Sequence, residues 1–146
     1  MSENDKLLEI KKLQTHFFTD DGVVKAVNDV SFPIYKGKTL GVVGESGCGK
    51  SLTALSIARL LPTPPAEVES GEILFDGRNV LEMGERDLRS LRGEEVAYVF
   101  QEPASSLNPV FTVGSQVGEA IRLHRPGVNV EKEVVSLLRL VLHPSP

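Results

Sequence analysis

Short apolar runs alternate with segments of helical spacing along the chain, which is the pattern of an α/β protein. Two mainly apolar runs, Thr39–Val43 and Val96–Phe100, are typical of strands that are buried on both faces. A third run, Gly71–Phe75, leads into Asp76 and Gly77, a pair that favours a tight hairpin turn. Two further segments complete the strand predictions: Val23–Tyr35, and Leu7–Leu13 as either a strand or a short helix.

Four segments are predicted to form helices. They are Lys50–Leu61, Glu82–Leu91, Thr112–His124 and a last helix that begins near Val130. The first and the last have the three-to-four-residue apolar spacing of amphipathic helices, whereas the second is polar and the third contains two glycines. We expect the first helix to bury Ala54, Ile57, Ala58 and Leu61. We expect the last to present an apolar stripe of Val134, Leu137, Leu138 and Val141.

The composition limits the classes of protein to which this chain could belong. The 146 residues fit one domain, and 40% hydrophobic with 25% charged residues is ordinary for a soluble globular chain. A formal net charge of −4 gives no indication of nucleic-acid binding, and one cysteine excludes a disulfide framework. No apolar run approaches the roughly 18 residues of a membrane span, so we expect any membrane association to come through a partner.

The segment Gly44–Ser51 contains the strongest chemical signal in the sequence. Its residues, Gly44-Glu45-Ser46-Gly47-Cys48-Gly49-Lys50-Ser51, fit the phosphate-loop pattern G-x-x-x-x-G-K-[ST]. Glycines allow the backbone to approach a phosphate closely, and the helix that follows directs its positive dipole end to the same point. The lysine would reach the β- and γ-phosphates of a nucleotide, and the serine hydroxyl would bind Mg²⁺. The alternative is a purely structural glycine-rich turn, in which Cys48 is simply a small residue.

Three stretches make the chain resemble the ATP-binding subunits of ABC transporters, most closely those of the dipeptide and oligopeptide import subfamily. The first runs from Ala26-Val27-Asn28-Asp29-Val30-Ser31-Phe32 through the phosphate loop. The second is Ser70-Gly71-Glu72-Ile73-Leu74-Phe75-Asp76-Gly77, and the third is Val99-Phe100-Gln101-Glu102-Pro103-Ala104-Ser105-Ser106-Leu107-Asn108-Pro109. The third stretch is similar to the family's Q-loop. The resemblance implies an ABC-type P-loop NTPase fold, with an N-terminal antiparallel β part, an incomplete RecA-like core and the start of a helical subdomain.

The resemblance also implies roles for individual residues. Gln101 would be the Q-loop glutamine, which contacts Mg²⁺ and the attacking water, so Lys50 and Gln101 are the candidate catalytic residues, and Ser51 and Gln101 the candidate metal ligands. The family stacks adenine on an aromatic residue upstream of the phosphate loop. Phe18 is the first candidate for that role and Phe17 the second. The implied cofactors are ATP and Mg²⁺.

Three parts of the family pattern are missing from the sequence: the signature, the Walker B strand ending in Asp-Glu, and a switch histidine. His16, His124 and His143 are scattered and form no catalytic or metal-binding spacing. We therefore expect residues 1–146 to form a single partial domain, with 1–109 as the phosphate-loop core and 110–146 as the start of the helical subdomain. We expect this chain alone to be inactive. Without a neighbouring Walker B strand, the two mainly apolar strands should expose their side chains to water.

The resemblance implies a subunit that couples ATP binding and hydrolysis to peptide import across the membrane. Its partners would be transmembrane permease subunits and a second ATP-binding subunit, without nucleic acid, and it would lie peripherally on the cytoplasmic face of the membrane. The transported solute stays open, because related subunits serve nickel and other small solutes. Other hypotheses are an N-terminal head fragment of a chromosome-maintenance or repair ATPase, a P-loop kinase or GTPase, and a non-catalytic remnant.

Overall fold

The computed structural model describes residues 5–100 and 106–142. The strands are β1 Lys6–Thr19, β2 Gly22–Tyr35, β3 Ala66–Phe75 and β4 Arg78–Asn79. The α-helices are α1 Lys50–Ile57, α2 Glu85–Ser90, α3 Val113–His124 and α4 Val130–Leu142, and two short turns of other helix types cover Val80–Glu82 and Leu91–Glu95. The chain divides into two compact units between Arg92 and Gly93.

The first unit is built on an antiparallel sheet with the strand order β2-β1-β3-β4. The segment that fitted either a strand or a helix is therefore a strand, and the prediction for β2 is confirmed. The strand β1 is paired on both edges, and it supplies Ile10 and Leu13 to the core, to which Ile73 of β3 also contributes. These side chains are 1%, 0% and 0% exposed. This sheet is the antiparallel β part that the sequence predicted.

The predicted hairpin turn connects β3 to β4. Asp76 and Gly77 both have positive φ, at 45° and 79°. Positive φ at both central residues is the geometry of the type I′ turn, whose twist matches that of paired strands. Lys36 holds the turn from outside, since its Nζ lies 2.7 Å from the Asp76 carboxylate. That hydrogen bond lowers the pKa of Asp76 below its ordinary value of 3.8.

Helix α1 differs from its prediction in length and in the face that it buries. It ends at Ile57 rather than Leu61, because Arg59 takes a left-handed conformation with φ 52° that stops the helix. Its buried side chains are Thr53 and Ser56 rather than the expected apolar set, of which only Ala58, just past the helix, is fully covered. The hydroxyls are tolerated in the interior because each donates to a carbonyl one turn back, Gly49 (2.9 Å) and Leu52 (2.8 Å) respectively.

The predicted helix Glu82–Leu91 is divided in the structure. Val80–Glu82 forms a 3₁₀ turn, and α2 begins only at Glu85, after Gly84 has broken the path of the backbone. The Asn79 side chain accepts from the Leu81 amide (3.2 Å) and so caps the short turn. The Asn79 cap and Gly84 therefore divide the segment that the sequence predicted as one polar helix.

The prediction of two doubly buried strands is wrong for the described structure. Neither Thr39–Val43 nor Val96–Phe100 forms a strand there. Val43 is 96% exposed and Val99 is 94% exposed. A strand needs a hydrogen-bonding neighbour, and none of the described strands runs beside either segment. The related expectation, that these apolar side chains face water, is confirmed.

The second unit contains helices α3 and α4, both close to their predicted bounds. Thr112 caps α3 by accepting from the Ser115 amide (3.2 Å). Gln116 of α3 reaches back to the preceding loop, where its Oε1 accepts from the Asn108 amide (2.9 Å) and its Nε2 donates to the carbonyls of Asn108 and Phe111 (both 3.0 Å). One side chain therefore ties the loop to the first turns of the helix.

Helix α4 packs against α3 through one side of its apolar stripe. Val134 is buried, and a β-carbon at Gly118 of α3 would lie 3.0 Å from Val130. The ion pair between Arg125 and Glu133 joins the two helices at their connection, with Nη1 and Oε1 2.5 Å apart. The end of the stripe is exposed, as expected, and Val141 is 75% exposed.

Candidate nucleotide-binding site

The predicted phosphate loop joins the exposed segment after β2 to the first turn of α1. Gly47 and Gly49 have positive φ, at 82° and 91°, and Gly49 is the residue that caps the helix. The Cys48 amide donates to the Glu45 carbonyl (3.4 Å), which closes the turn of the loop. Gly47 and Gly49 therefore stand at positions where a side chain would be strained.

Two of the glycines also allow close contacts. A β-carbon at Gly49 would lie 2.5 Å from the Ala26 carbonyl oxygen of β2, and one at Gly44 would lie 2.7 Å from the Cys48 sulfur. The loop therefore rests directly on the backbone of β2 at one end and closes on itself at the other. Sequence reasoning gave the glycines their role toward phosphate, and it missed this role of Gly49 against the sheet.

Lys50 folds back over the loop. Its Nζ donates to the carbonyls of Gly44 (2.8 Å) and Glu45 (2.6 Å), and it lies 3.4 Å from the Cys48 sulfur. The ammonium group is thus enclosed by oxygens of the loop itself, in an exposed position. Oxygens of a phosphate carry more charge than carbonyl oxygens, so the same ammonium group suits an anion at the mouth of the loop.

The start of α1 supplies the rest of the site. Ser51 is exposed on the first turn of the helix, and the Thr53 amide donates to the Gly49 carbonyl (2.8 Å), which begins the helical ladder. The amides at the start of a helix have no partners within it and carry the positive end of the dipole. Loop, lysine and helix start therefore form a site for an anion, with the exposed Ser51 hydroxyl on the first turn of the helix.

Phe18 lies apart from the loop, near the end of β1. It is 44% exposed and pairs with Val23 of β2, and its amide donates to the Pro65 carbonyl (2.9 Å). Val23 is three residues from Ala26, which is about 10 Å along a strand. Phe17, the second candidate, is less exposed and pairs with Val24 and with Ala66 of β3. Both stay candidates for the adenine contact.

Gln101 lies outside the described residues, so its roles toward Mg²⁺ and water stay predictions. Cys48 is an exposed free thiol within the loop. Its sulfur lies beside the Lys50 ammonium and occupies the place where a β-carbon at Gly44 would point, so it contributes to the closed shape of the loop.

Fold and loop together define a P-loop nucleotide-binding protein, in which an α-helix follows a glycine-rich phosphate loop. The comparisons give the family. The model of the ABC transporter family matches residues 27–142, so the chain belongs to that family.

Two curated relatives show the extent of the similarity. A probable peptide ABC transporter ATP-binding protein, y4tR of Sinorhizobium fredii, is 48% identical over 139 residues, which are 94% of this chain and 42% of the relative. The dipeptide transport ATP-binding protein DppD of Bacillus subtilis is 44% identical over 144 residues, 97% of this chain and 43% of the relative. The chain thus spans less than half the length of either relative.

A solved structure supports the fold. The ATP-binding cassette MJ0796, dimeric and bound to ADP and Pi, matches with a TM-score of 0.77 at 20% identity, over 92% of this chain and 57% of that one. This confirms the ABC-type nucleotide-binding fold in partial form. Among the residues that the structure describes, no helix is both long and apolar enough to cross a membrane.

Proposed function

We propose that the chain is the nucleotide-binding part of an ABC transporter ATP-binding subunit, and that it binds ATP with Mg²⁺ at the phosphate loop. The observation that carries the proposal is the position of Lys50, whose ammonium group lies between two loop carbonyls at the start of α1. A cation held at the mouth of a glycine loop, beside the unpaired amides of a helix start, is an anion site.

In this proposal each residue has a separate task. Lys50 exchanges its carbonyl partners for β- and γ-phosphate oxygens, and the loop Gly44–Gly49 surrounds the phosphates with amides. Ser51 holds Mg²⁺, which would neutralise phosphate charge there. Gln101 completes the metal contacts and places the water. Phe18 stacks on the adenine ring through its aromatic face.

We propose peptides as the transported solutes and permease subunits as the membrane partners. The support is the names of the relatives, which include a dipeptide and an oligopeptide transport ATP-binding protein. A second ATP-binding subunit would complete the assembly, as the dimeric state of MJ0796 suggests. The subunit would then lie at the cytoplasmic face of the membrane through its permease.

We propose further that residues 1–146 alone do not hydrolyse ATP. Phosphoryl transfer depends on positioning and charge stabilisation, and the sequence contains no Walker B carboxylates and no signature loop. Loss of a base or water-orienting group typically lowers a rate by about 10²–10⁴, and loss of a charge stabiliser by about 10²–10³. Binding without turnover is therefore the expected behaviour.

The test is isothermal titration of ATP, with and without Mg²⁺, into wild type and Lys50→Ala. Loss of the charge-assisted contacts should weaken binding by about 2–3 kcal/mol, a factor of roughly 30–150. Lys11→Ala on β1 of the same unit removes the same charge from an exposed side chain and should bind like wild type. Equal affinity of wild type and Lys50→Ala would contradict the proposal, and absence of binding by wild type would favour the non-catalytic remnant.

A further inference from the structure

The far end of the phosphate-loop helix is held in a strained conformation. Beyond Ile57, the Arg59 amide donates to the Ser56 carbonyl (3.0 Å) and the Leu60 amide to the Leu55 carbonyl (2.9 Å). This pair of bonds is the Schellman ending, in which the left-handed position is usually a glycine. Here the position is taken by Arg59 with φ 52°, a conformation that is unfavourable for a residue with a β-carbon.

Arg92 holds this ending in place. Its Nε donates to the Ala58 carbonyl (2.8 Å) and its Nη2 to the Arg59 carbonyl (2.5 Å). Arg59 in turn donates from its own Nη1 to the Met83 carbonyl (2.9 Å). Ala58 is fully buried, so its carbonyl would otherwise stand without water in the interior. The bonds from Arg92 therefore fix the backbone at the strained residue, and the bond to the Met83 carbonyl fixes the Arg59 side chain.

Both the positive charge and the planar shape of the Arg92 guanidinium suit the carbonyls at the end of α1. The last carbonyls of a helix carry the negative end of the dipole, and a cation there is stabilising. A planar guanidinium can donate two bonds to neighbouring carbonyls at once, which an ammonium on a flexible stem does less well.

We propose that Arg92 is a positioning residue for the phosphate site, and that it acts through α1. The inference rests on the proposed nucleotide binding at the loop. The helix is a rigid element of eight residues, with Lys50 at one end and the Arg92 bonds just beyond the other. If its end is released, the helix can slide or fray, and the amides and the Lys50 ammonium at its start lose their fixed position.

The surroundings of Arg92 provide a way to test this by chemical rescue. Arg59 and Arg92 line an open cleft of about 710 Å³ in the first unit. The same cleft is lined by Glu67, Glu69 and Glu85, which favour the entry of a small cation. Ethylguanidinium can therefore reach the carbonyls that a shortened side chain leaves without a donor.

The experiment compares Arg92→Ala, Arg92→Lys and wild type in two measurements. Hydrogen exchange without nucleotide reports the Arg59, Leu60 and Thr53 amides, and calorimetry reports ATP·Mg²⁺ affinity. We expect Arg92→Ala to exchange at least tenfold faster at all three amides and to bind ATP about tenfold more weakly. Ethylguanidinium should restore much of both properties, and Arg92→Lys should be intermediate. Arg89→Ala, which removes the same charge from the exposed face of α2, should match wild type.

Several results would overturn the inference. Unchanged exchange at the Thr53 amide would confine Arg92 to local capping, even if Arg59 and Leu60 exchange faster. Lack of rescue by ethylguanidinium in a folded Arg92→Ala would exclude the guanidinium bonds as the cause, and Arg92→Lys serves if Arg92→Ala does not fold. If wild type binds no ATP, the proposed function fails, while the exchange measurements still decide whether Arg92 controls the start of α1.

Discussion

Replacing Gly49 by alanine tests whether the loop must rest on the backbone of β2. The residue has φ 91°, and a β-carbon there would lie 2.5 Å from the Ala26 carbonyl oxygen. Gly47 is a matched control within the same loop. Its φ of 82° is nearly the same, but a β-carbon there would have no heavy atom within 4 Å.

The two substitutions share one cost and differ in the other. A left-handed conformation costs alanine about 1–2 kcal/mol at either position. At Gly49 the neighbour is backbone, which cannot rotate away, so overpacking adds about 1–3 kcal/mol. We therefore expect Gly47→Ala to lower the free energy of unfolding by about 1–2 kcal/mol and Gly49→Ala by about 2–5 kcal/mol.

Urea denaturation without nucleotide, followed by circular dichroism of the sheet, measures both differences. Nucleotide is left out so that altered binding cannot enter the measured stability. If the two variants agree within about 0.5 kcal/mol, the contact with Ala26 carries no energy and the reasoning is refuted.

Three further results are expected. Phe18→Ala should weaken ATP binding in calorimetry while Phe17→Ala does not, and the opposite pattern would assign the stacking role to Phe17. Lys36→Met should raise the pKa of Asp76 toward its ordinary 3.8 in a carboxyl NMR titration, because the Lys36 hydrogen bond lowers that pKa. The stability that this bond gives is present above about pH 4 and is lost as the pH falls through the lowered pKa. In a malachite-green assay, wild type should release phosphate from ATP no faster than the Lys50→Ala control. Turnover that depends on Lys50 and is near the usual range of about 1–10³ s⁻¹ would contradict this.

The elements that the sequence predicted well are those whose causes are local. The Asp76–Gly77 turn follows from two residues that tolerate positive φ, and α3 begins where the structure shows Thr112 capping it. The phosphate loop belongs to the same group, because its glycines and lysine are specified by position within eight residues.

The elements that the sequence predicted poorly depend on residues that are distant along the chain. Thr39–Val43 has the composition of a buried strand, but composition supplies no hydrogen-bonding neighbour. The buried face of α1 was wrong for a related reason, since Thr53 and Ser56 satisfy their hydroxyls within the helix and so enter the interior as small residues. The hydrogen bonds from Arg92 to the carbonyls of Ala58 and Arg59 span more than thirty positions of the chain, so no local sequence pattern predicts them.

The three hydrogen bonds of Gln116 join α3 and the loop before it into one rigid element. Because the Asn108–Phe111 turn is fastened to the first turns of the helix, a push on that turn is not absorbed by local bending. The helix has twelve residues, which is about 18 Å of length. If the loop and the helix tilted together by about 10°, the far end at His124 would move by about 3 Å because of this length.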